Sequence, residues 1–258
     1  MTKSSLYRTA SSALLLLASL ALSACAAYAT PGRGADMTTF GMTQNTREVL
    51  TDGAVQRKLD LKPLARFPTS LAVVRVQAPG YSSYTCKNAY GQGSYSVITT
   101  RDVESDEAIA KLEKLPLVTG VAPVGRLLLP QQLGSDLEVR QAAAALHADL
   151  LLVYTIDTTF EGKNACGALS VVSLGLFPTK VDRVTSTASA VLLDTRNGYV
   201  YGVAEASAKE SQLTNYWGDK AAADSARRSA EKQAFDKLIG DFERAWGGVI
   251  RNYAVAGG

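Results

Sequence analysis

The spacing of apolar and polar positions changes several times along the chain, and each change marks an element. Thr46 to Leu61 carries a helical pattern through Val49, Leu50, Val55 and Leu59, interrupted by Gly53. Leu71-Ala72-Val73-Val74-Arg75-Val76 is β-branched and ends at Ala78-Pro79-Gly80, which predicts a first, buried strand. Tyr95 to Thr99 reads as an edge strand. Ser105 to Leu115 predicts a helix with Ser105 as N-cap, Asp106 and Glu107 in the first turn and Ile109, Leu112 and Leu115 on one side, before Pro116 stops it. Extended apolar material follows around Pro123 and Pro130. Ser135 and Glu138 then fit a capping box opening an alanine-rich helix through Val139, Ala142, Ala143 and Leu146.

The second half is more strongly β. Leu150 to Ile156 is a continuous apolar run of strand length, which implies burial on both faces and a central place in a sheet. Ala168 to Phe177 reads as a further strand ending at Pro178. From Thr185 to Leu192, Ala188, Ala190 and Leu192 alternate with Thr185, Thr187 and Ser189, the pattern of a half-exposed antiparallel strand. Asn197-Gly198 suits a two-residue hairpin turn, with Tyr199 to Ala206 returning along it. Asp219 to Trp246 is a long helix with an apolar stripe through Phe235, Leu238, Ile239, Phe242 and Trp246, and Gly247-Gly248 is its expected stop. That stripe reads as core. The predicted fold class is α/β (α+β): a single domain with a mixed sheet and packed helices.

The amino terminus has a different character. Thr9 to Leu22 is apolar or small throughout and follows Lys3 and Arg8, the layout of a secretory signal. The run is shorter than the roughly 20 apolar residues that span a bilayer. It ends in Leu22-Ser23-Ala24-Cys25, which resembles the lipobox of bacterial lipoproteins. The resemblance implies a diacylglyceryl thioether on Cys25, cleavage before it and acylation of the new amine, with Ala26 favouring transfer to the outer membrane. Residues 1–24 are then signal peptide, residues 25–44 a flexible tether rich in small residues, and residues 45–258 the α/β domain. The expected location is the outer membrane, lipid-anchored and facing the periplasm. An ordinary secreted protein cut between Ala24 and about Ala29 is the alternative.

The formal charge of +3 owes much to Lys3 and Arg8, so the body is close to neutral and argues against nucleic acid as a partner. Arg227, Arg228, Glu231, Lys232, Asp236 and Lys237 are mixed in sign and read as a solvated helix face. With Cys25 assigned to lipid, Cys86 and Cys166 form an even pair in an oxidising compartment and are expected to be disulfide-bonded. A buried thiol pair or a metal site is the alternative, but zinc ordinarily takes four ligands and no histidines cluster with these cysteines. Tyr81, Tyr84, Tyr90 and Tyr95 lie among Gly, Ser and Asn around Cys86. Tyrosines in such a setting suit adaptable binding loops. Tyr81, Tyr84 and Tyr90 are therefore candidate partner-binding residues, against the plainer reading of a stapled loop.

Motifs for chemistry are sparse. The sequence has no nucleophile elbow, zincin helix or phosphate-binding loop, and neither a cofactor nor a metal is expected. His147 is the single histidine and sits at a helix end, where a structural role is expected. Asp149 with Asp157 and Glu205 with Glu210 are acid pairs that would matter only if they shared a cleft. No catalytic residue is assigned and no enzymatic activity is expected.

The order of elements behind the lipobox resembles the CsgG/LpoB/TolB amino-terminal-like α/β family. The residues that carry the likeness are Leu71 to Val76, Ala148-Asp149 followed by Leu150 to Ile156, and Leu193-Asp194-Thr195-Arg196-Asn197-Gly198-Tyr199. His147 stands where the family usually has glycine, and the tyrosine-rich loop is outside its pattern. The resemblance implies the fold and, for function, either activation of a periplasmic enzyme or formation of an export channel. The expectation is an adaptor or regulator that binds another envelope protein, with a homo-oligomeric secretion component as the alternative.

Overall fold

Thr69–Gln77 (β1) is the strand around which the sheet is assembled. The structure is a computed structural model and describes residues 31, 33–40, 51–83, 85, 89–164, 178–215 and 220–254. In chain order it contains α1 (Asp52–Asp60), β1, β2 (Gln92–Gly93), β3 (Ser96–Ile98), α2 (Asp106–Glu113), β4 (Val118–Pro123) and β5 (Gln132–Leu133). Then follow α3 (Asp136–Ala145), β6 (Leu150–Asn164), β7 (Pro178–Asp194), β8 (Val200–Asn215) and α4 (Lys220–Val249). The result is one domain with a mixed sheet and helices on it.

On one side β1 runs parallel to β6, with Leu71 beside Leu150 and Val74 beside Val153. Two short strands share its other side. The first half of β1 lies parallel to β4, whereas Arg75, Val76 and Gln77 pair antiparallel with β3. The two strands part beside Val74. From β6 the sheet continues as an antiparallel meander through β7 and β8, in which Leu150 pairs with Asp194 and Asn164 with Lys180.

Burial along β6 explains its length. Residues 150–156 are all buried, and beyond them Thr158 is buried whereas Asp157 and Thr159 are exposed. Helices cover both faces of the first half; among the described residues, α4 covers one face of the second. A continuous apolar run therefore gives way to period two without the strand ending. β7 starts at Pro178, the residue expected to end a strand, and buries Ala188, Ala190 and Leu192 as its alternation requires. Residues 168–177 lie outside the described residues.

One layer consists of α2 and α4. It packs Leu112, Phe235, Leu238, Ile239, Phe242 and Trp246 against Leu71, Val73, Leu152, Ile156 and Leu192. The opposite layer is α3 with residues 33–40, whose Val139, Ala143 and Phe40 meet Ala72, Val74, Leu151 and Val153. The predicted caps are in place. Ser105 Oγ accepts from the Ala108 N–H, and Ser135 and Glu138 form the capping box.

The structure departs from four expectations. Residues 33–40 are part of the fold and not tether: the Ala78 N–H donates to the Arg33 carbonyl, Ala35 and Phe40 are buried, and the Phe40 ring lies 5.0 Å from that of Tyr95. The first helix starts at Asp52 with Thr51 as cap, and its Val55 and Leu59 are 58% and 72% exposed; Ala54 is its buried residue. The β7–β8 turn is a four-residue one: Asp194 N–H donates to Tyr199 and Gly198 N–H to Asp194. A two-residue turn of the expected type needs positive φ at both centres, and only Gly198, at +74°, has it. Finally, Gly247 and Gly248 do not end α4. Trp246 is anchored by its indole N–H to the Pro116 carbonyl, and the chain winds on through a π-helical turn that sets Tyr253 edge-to-face with Tyr199 and Tyr201.

His147 closes α3 with φ +55°, donating its N–H to Ala144, while Ala148 donates to Ala143. These are the two bonds of a Schellman stop, whose left-handed residue is ordinarily glycine. The side chain is exposed and the role is in the backbone.

Candidate functional site

Arg75 is the one charged residue within the apolar run of β1, and its side chain is 2% exposed. It projects onto the α4 layer, because it alternates with Leu71 and Val73 on that face. Its Nη1 donates to Asp102 at 3.0 Å and to Glu104 at 3.3 Å, and Nη2 faces Glu231 at 3.6 Å. From α4, Arg227 comes down on the same group. Its Nη1 lies 2.7 Å from Glu231, its Nε 2.9 Å from Asp224 and its Nη2 3.7 Å from Asp102.

Thus two enclosed guanidiniums sit among four carboxylates, and Arg228, half exposed, reaches Asp224 from outside at 3.0 Å. Hydroxyls complete the cluster. Tyr154 donates to Glu104, Thr158 to Glu231, and Thr85 to Asp102 while accepting from Arg227. Burial alone would lower the affinity of Arg75 for its proton, but the Glu104, Glu231 and Asp102 charges outweigh it and hold the pKa above the ordinary arginine value. Arg227 is held above it in the same way by Glu231 and Asp224. Burial also pushes the Tyr154 hydroxyl well above the usual tyrosine range, with the negative Glu104 adding to it.

This cluster corrects the reading of residues 227–237 as a solvated face: Arg227 and Glu231 are 0% and 1% exposed. The signal was available in their spacing. Arg227 and Glu231 continue the stripe of Phe235, Leu238 and Phe242 toward the start of α4, so they had to face the sheet. Lys232 and Asp236, on the other side, form an exposed pair at 2.8 Å.

A cleft of about 210 Å³ opens where β3 and β4 part, with Val73, Arg75, Glu104 and Tyr154 below and Arg101 and Glu113 at its rim. It is smaller than the ~300–1,000 Å³ of ordinary ligand pockets. Arg75 Nε and Nη2 and the Tyr81 hydroxyl make no hydrogen bond with the described residues. The acids and bases otherwise satisfy one another. Chemically, the arrangement joins β1, β6, α4 and the loops at 85 and 102–104 into one unit.

The tyrosines nominated for binding are placed differently from one another. Tyr81 is 3% exposed, with the Arg75 guanidinium 6.0 Å from its ring centre, so it is committed to the interior. Tyr90 is half-buried and its hydroxyl donates to the Leu129 carbonyl. Tyr95 is buried and donates to Ser135. Tyr84, Cys25 and the pair Cys86 and Cys166 lie outside the described residues. The acid pairs do not converge: Asp149 bonds Arg196 at the start of β6, eight residues along the strand from Asp157. Glu205 faces the open side of β8 toward Ser189, while Glu210 turns to Ser229 on α4. Among the described residues no group of His, Cys, Asp and Glu is arranged to hold a metal ion, and no helix is long and apolar enough to cross a membrane.

No protein-family model matches the chain, and no curated protein does. Among solved structures, it is similar to a "putative lipoprotein" from Caulobacter crescentus at 12% identity and a TM-score of 0.26, over 45% of this chain and 80% of that one. It is also similar to a Xanthomonas campestris protein of the DUF330 family at 14% identity and a TM-score of 0.30, over 73% and 91%. With so little shared geometry, neither description carries over to this chain.

Proposed function

We propose that this chain is a lipid-anchored protein of the cell envelope that acts without catalysis, by binding a protein partner as adaptor or regulator. The observation that carries the reading is Leu22-Ser23-Ala24-Cys25 at the end of a charged-then-apolar leader. Acyl chains on Cys25 supply more than the single signal that gives only marginal membrane binding. The outer membrane is the proposed destination, and Cys86 and Cys166 the proposed disulfide.

The part of the β6–β8 meander that no described helix covers, on the side of α3, supports protein binding. It is mostly polar, with Thr159, Thr185, Thr187, Ser189, Glu205 and Lys209 facing outward beside the exposed Val203. Partner contact through it is tested by placing photocrosslinkers at Thr187 and Lys209 in the full chain and identifying what they capture in intact cells. Capture of one envelope protein at both positions supports the reading; capture of none, with a normally folded chain, opposes it. A likeness to the CsgG/LpoB/TolB amino-terminal-like family agrees with this role but rests on the sequence motifs alone.

The second reading, a homo-oligomer, is favoured by β8. It is the last strand of the sheet, 16 residues long. Such edges pair readily with other chains unless guarded. Lys237 donates to the Ser207 carbonyl at 3.2 Å and guards its middle. A monomer on sizing in mild detergent would count against the oligomer.

A further inference from the structure

The chain between the anchor and the fold is short. Residues 26–30 alone separate Cys25 from Pro31, which is buried, and the fold is continuous from Arg33. Six Cα steps reach at most about 22 Å fully extended. A domain running from residue 31 to 254 has a radius of gyration of about 17 Å, so it is roughly twice as wide as the leash is long. The domain cannot turn freely above the lipid.

The leash ends at a defined place. Gly34 bridges to Gln77, the last residue of β1, and the Ala35 N–H donates to Thr155 Oγ1 at 2.8 Å, on the α3 layer. An exposed apolar turn belongs to the same end of the same layer. Arg126–Leu128 forms a 3₁₀ turn in which Leu127 is 93% exposed and Leu128 39%. Leu129, which follows, is buried in the cluster that holds Phe40, with Met37 and Tyr90 packed on it. Tyr90 bonds the Leu129 carbonyl and pairs with Val97, which lies opposite Val76 near the end of β1.

From this placement we infer that the face carrying Pro31–Phe40 lies on the lipid surface, with Leu127 and Leu128 entering its interfacial layer beside the anchor and Arg126 at the headgroups. The inference rests on lipidation of Cys25. An apolar tip flanked by a cation is what an anionic membrane interface takes up, and a leash of this length holds it there. The α2 and α4 layer, on the opposite side of the sheet, then faces away from the lipid.

The test uses the full-length lipoprotein in vesicles of phosphatidylethanolamine and phosphatidylglycerol with brominated acyl chains. An environment-sensitive fluorescent amino acid replaces Leu127 or, as the far-side control, Glu243 on α4. Both positions are exposed, so the fold is retained, which circular dichroism checks. The expected result is a blue shift and loss of most emission at 127, with emission at 243 unchanged. Equal quenching at the two positions overturns the inference, as does shielding of 127 by a protein in cells without quenching by lipid. The mass of the amino-terminal peptide separates the two levels. If Cys25 carries lipid and 127 is unquenched, the orientation fails and the anchor stands; if Cys25 carries none, both fail.

Discussion

Replacing Arg75 with Met keeps the volume of the side chain but withdraws the charge on which Asp102, Glu104 and Glu231 converge. All the groups concerned are buried or nearly so, with Asp102 the most exposed at 14%. Breaking a buried ion pair by removing one partner costs about 3–5 kcal/mol, because the remaining charge is left without compensation. In a domain of this size each kcal/mol lowers the melting temperature by roughly 2–4 °C, so Arg75→Met is expected to melt about 6–20 °C below the parent chain. Urea denaturation gives the free energy directly, and an unchanged slope would show that the unfolded state is unaltered. Two comparisons isolate the cause. Arg228→Ala removes a guanidinium that is 48% exposed and is expected to cost at most about 1 kcal/mol. Combining Arg75→Met with Glu104→Gln should cost less than the two changes added together, since each relieves the charge the other leaves behind. An Arg75→Met chain within about 0.5 kcal/mol of the parent would refute the reasoning, since surface changes alone produce differences of that size.

Other consequences follow from the same geometry. His147→Gly is expected to stabilise the fold by about 1 kcal/mol, because the +55° backbone angle strains any residue with a Cβ; chemical denaturation measures it. Gly198→Ala should lose about 1–2 kcal/mol from its +74° angle alone, and its Cβ would also stand 3.0 Å from Asp136 Oδ2. Burial raises the pKa of Tyr81, Tyr95, Tyr154 and Tyr201, so the folded state keeps protons that the unfolded chain releases. Stability from these groups is complete below the ordinary tyrosine pKa of about 10 and falls as pH rises above it, by up to about 1.4 kcal/mol per pH unit for each tyrosine. Tyr154→Phe should make that alkaline fall shallower. Arg75 is raised too, so its contribution is complete below the ordinary arginine value and is lost as pH rises from there toward the folded-state value, and it adds no pH dependence between pH 5 and 9.

Much of the architecture is written in local patterns. β1, the caps of α2 and α3, the start of β6, the alternation in β7 and the aromatic stripe of α4 each depend on neighbours within one or two turns, and each lies where the pattern puts it. What the sequence hides is non-local. Nothing in Val118–Pro123 announces that it lies beside the first half of β1, leaving β3 the second half. The charge cluster was hidden for a related reason. Alternating signs along residues 227–237 resemble a wet helix face, and only the match of Arg227 and Glu231 to the buried stripe, together with Arg75 inside an apolar strand, betrays that they meet. Residues 33–40 read as linker because small and polar residues carry no period, although Phe40 fills a space beside Tyr95. The glycines at 247 and 248 misled in the opposite sense: a Schellman stop needs a left-handed residue, and contacts of Trp246 and Tyr253 hold the chain helical instead.

The account depends most on Cys25. Purifying the membrane-extracted protein and weighing its amino-terminal peptide tests that directly: a peptide beginning at Cys25 and carrying a diacylglyceryl group and an amide-linked acyl chain is the expected result. A peptide beginning elsewhere, or one beginning at Cys25 with an unmodified sulfur, would contradict it.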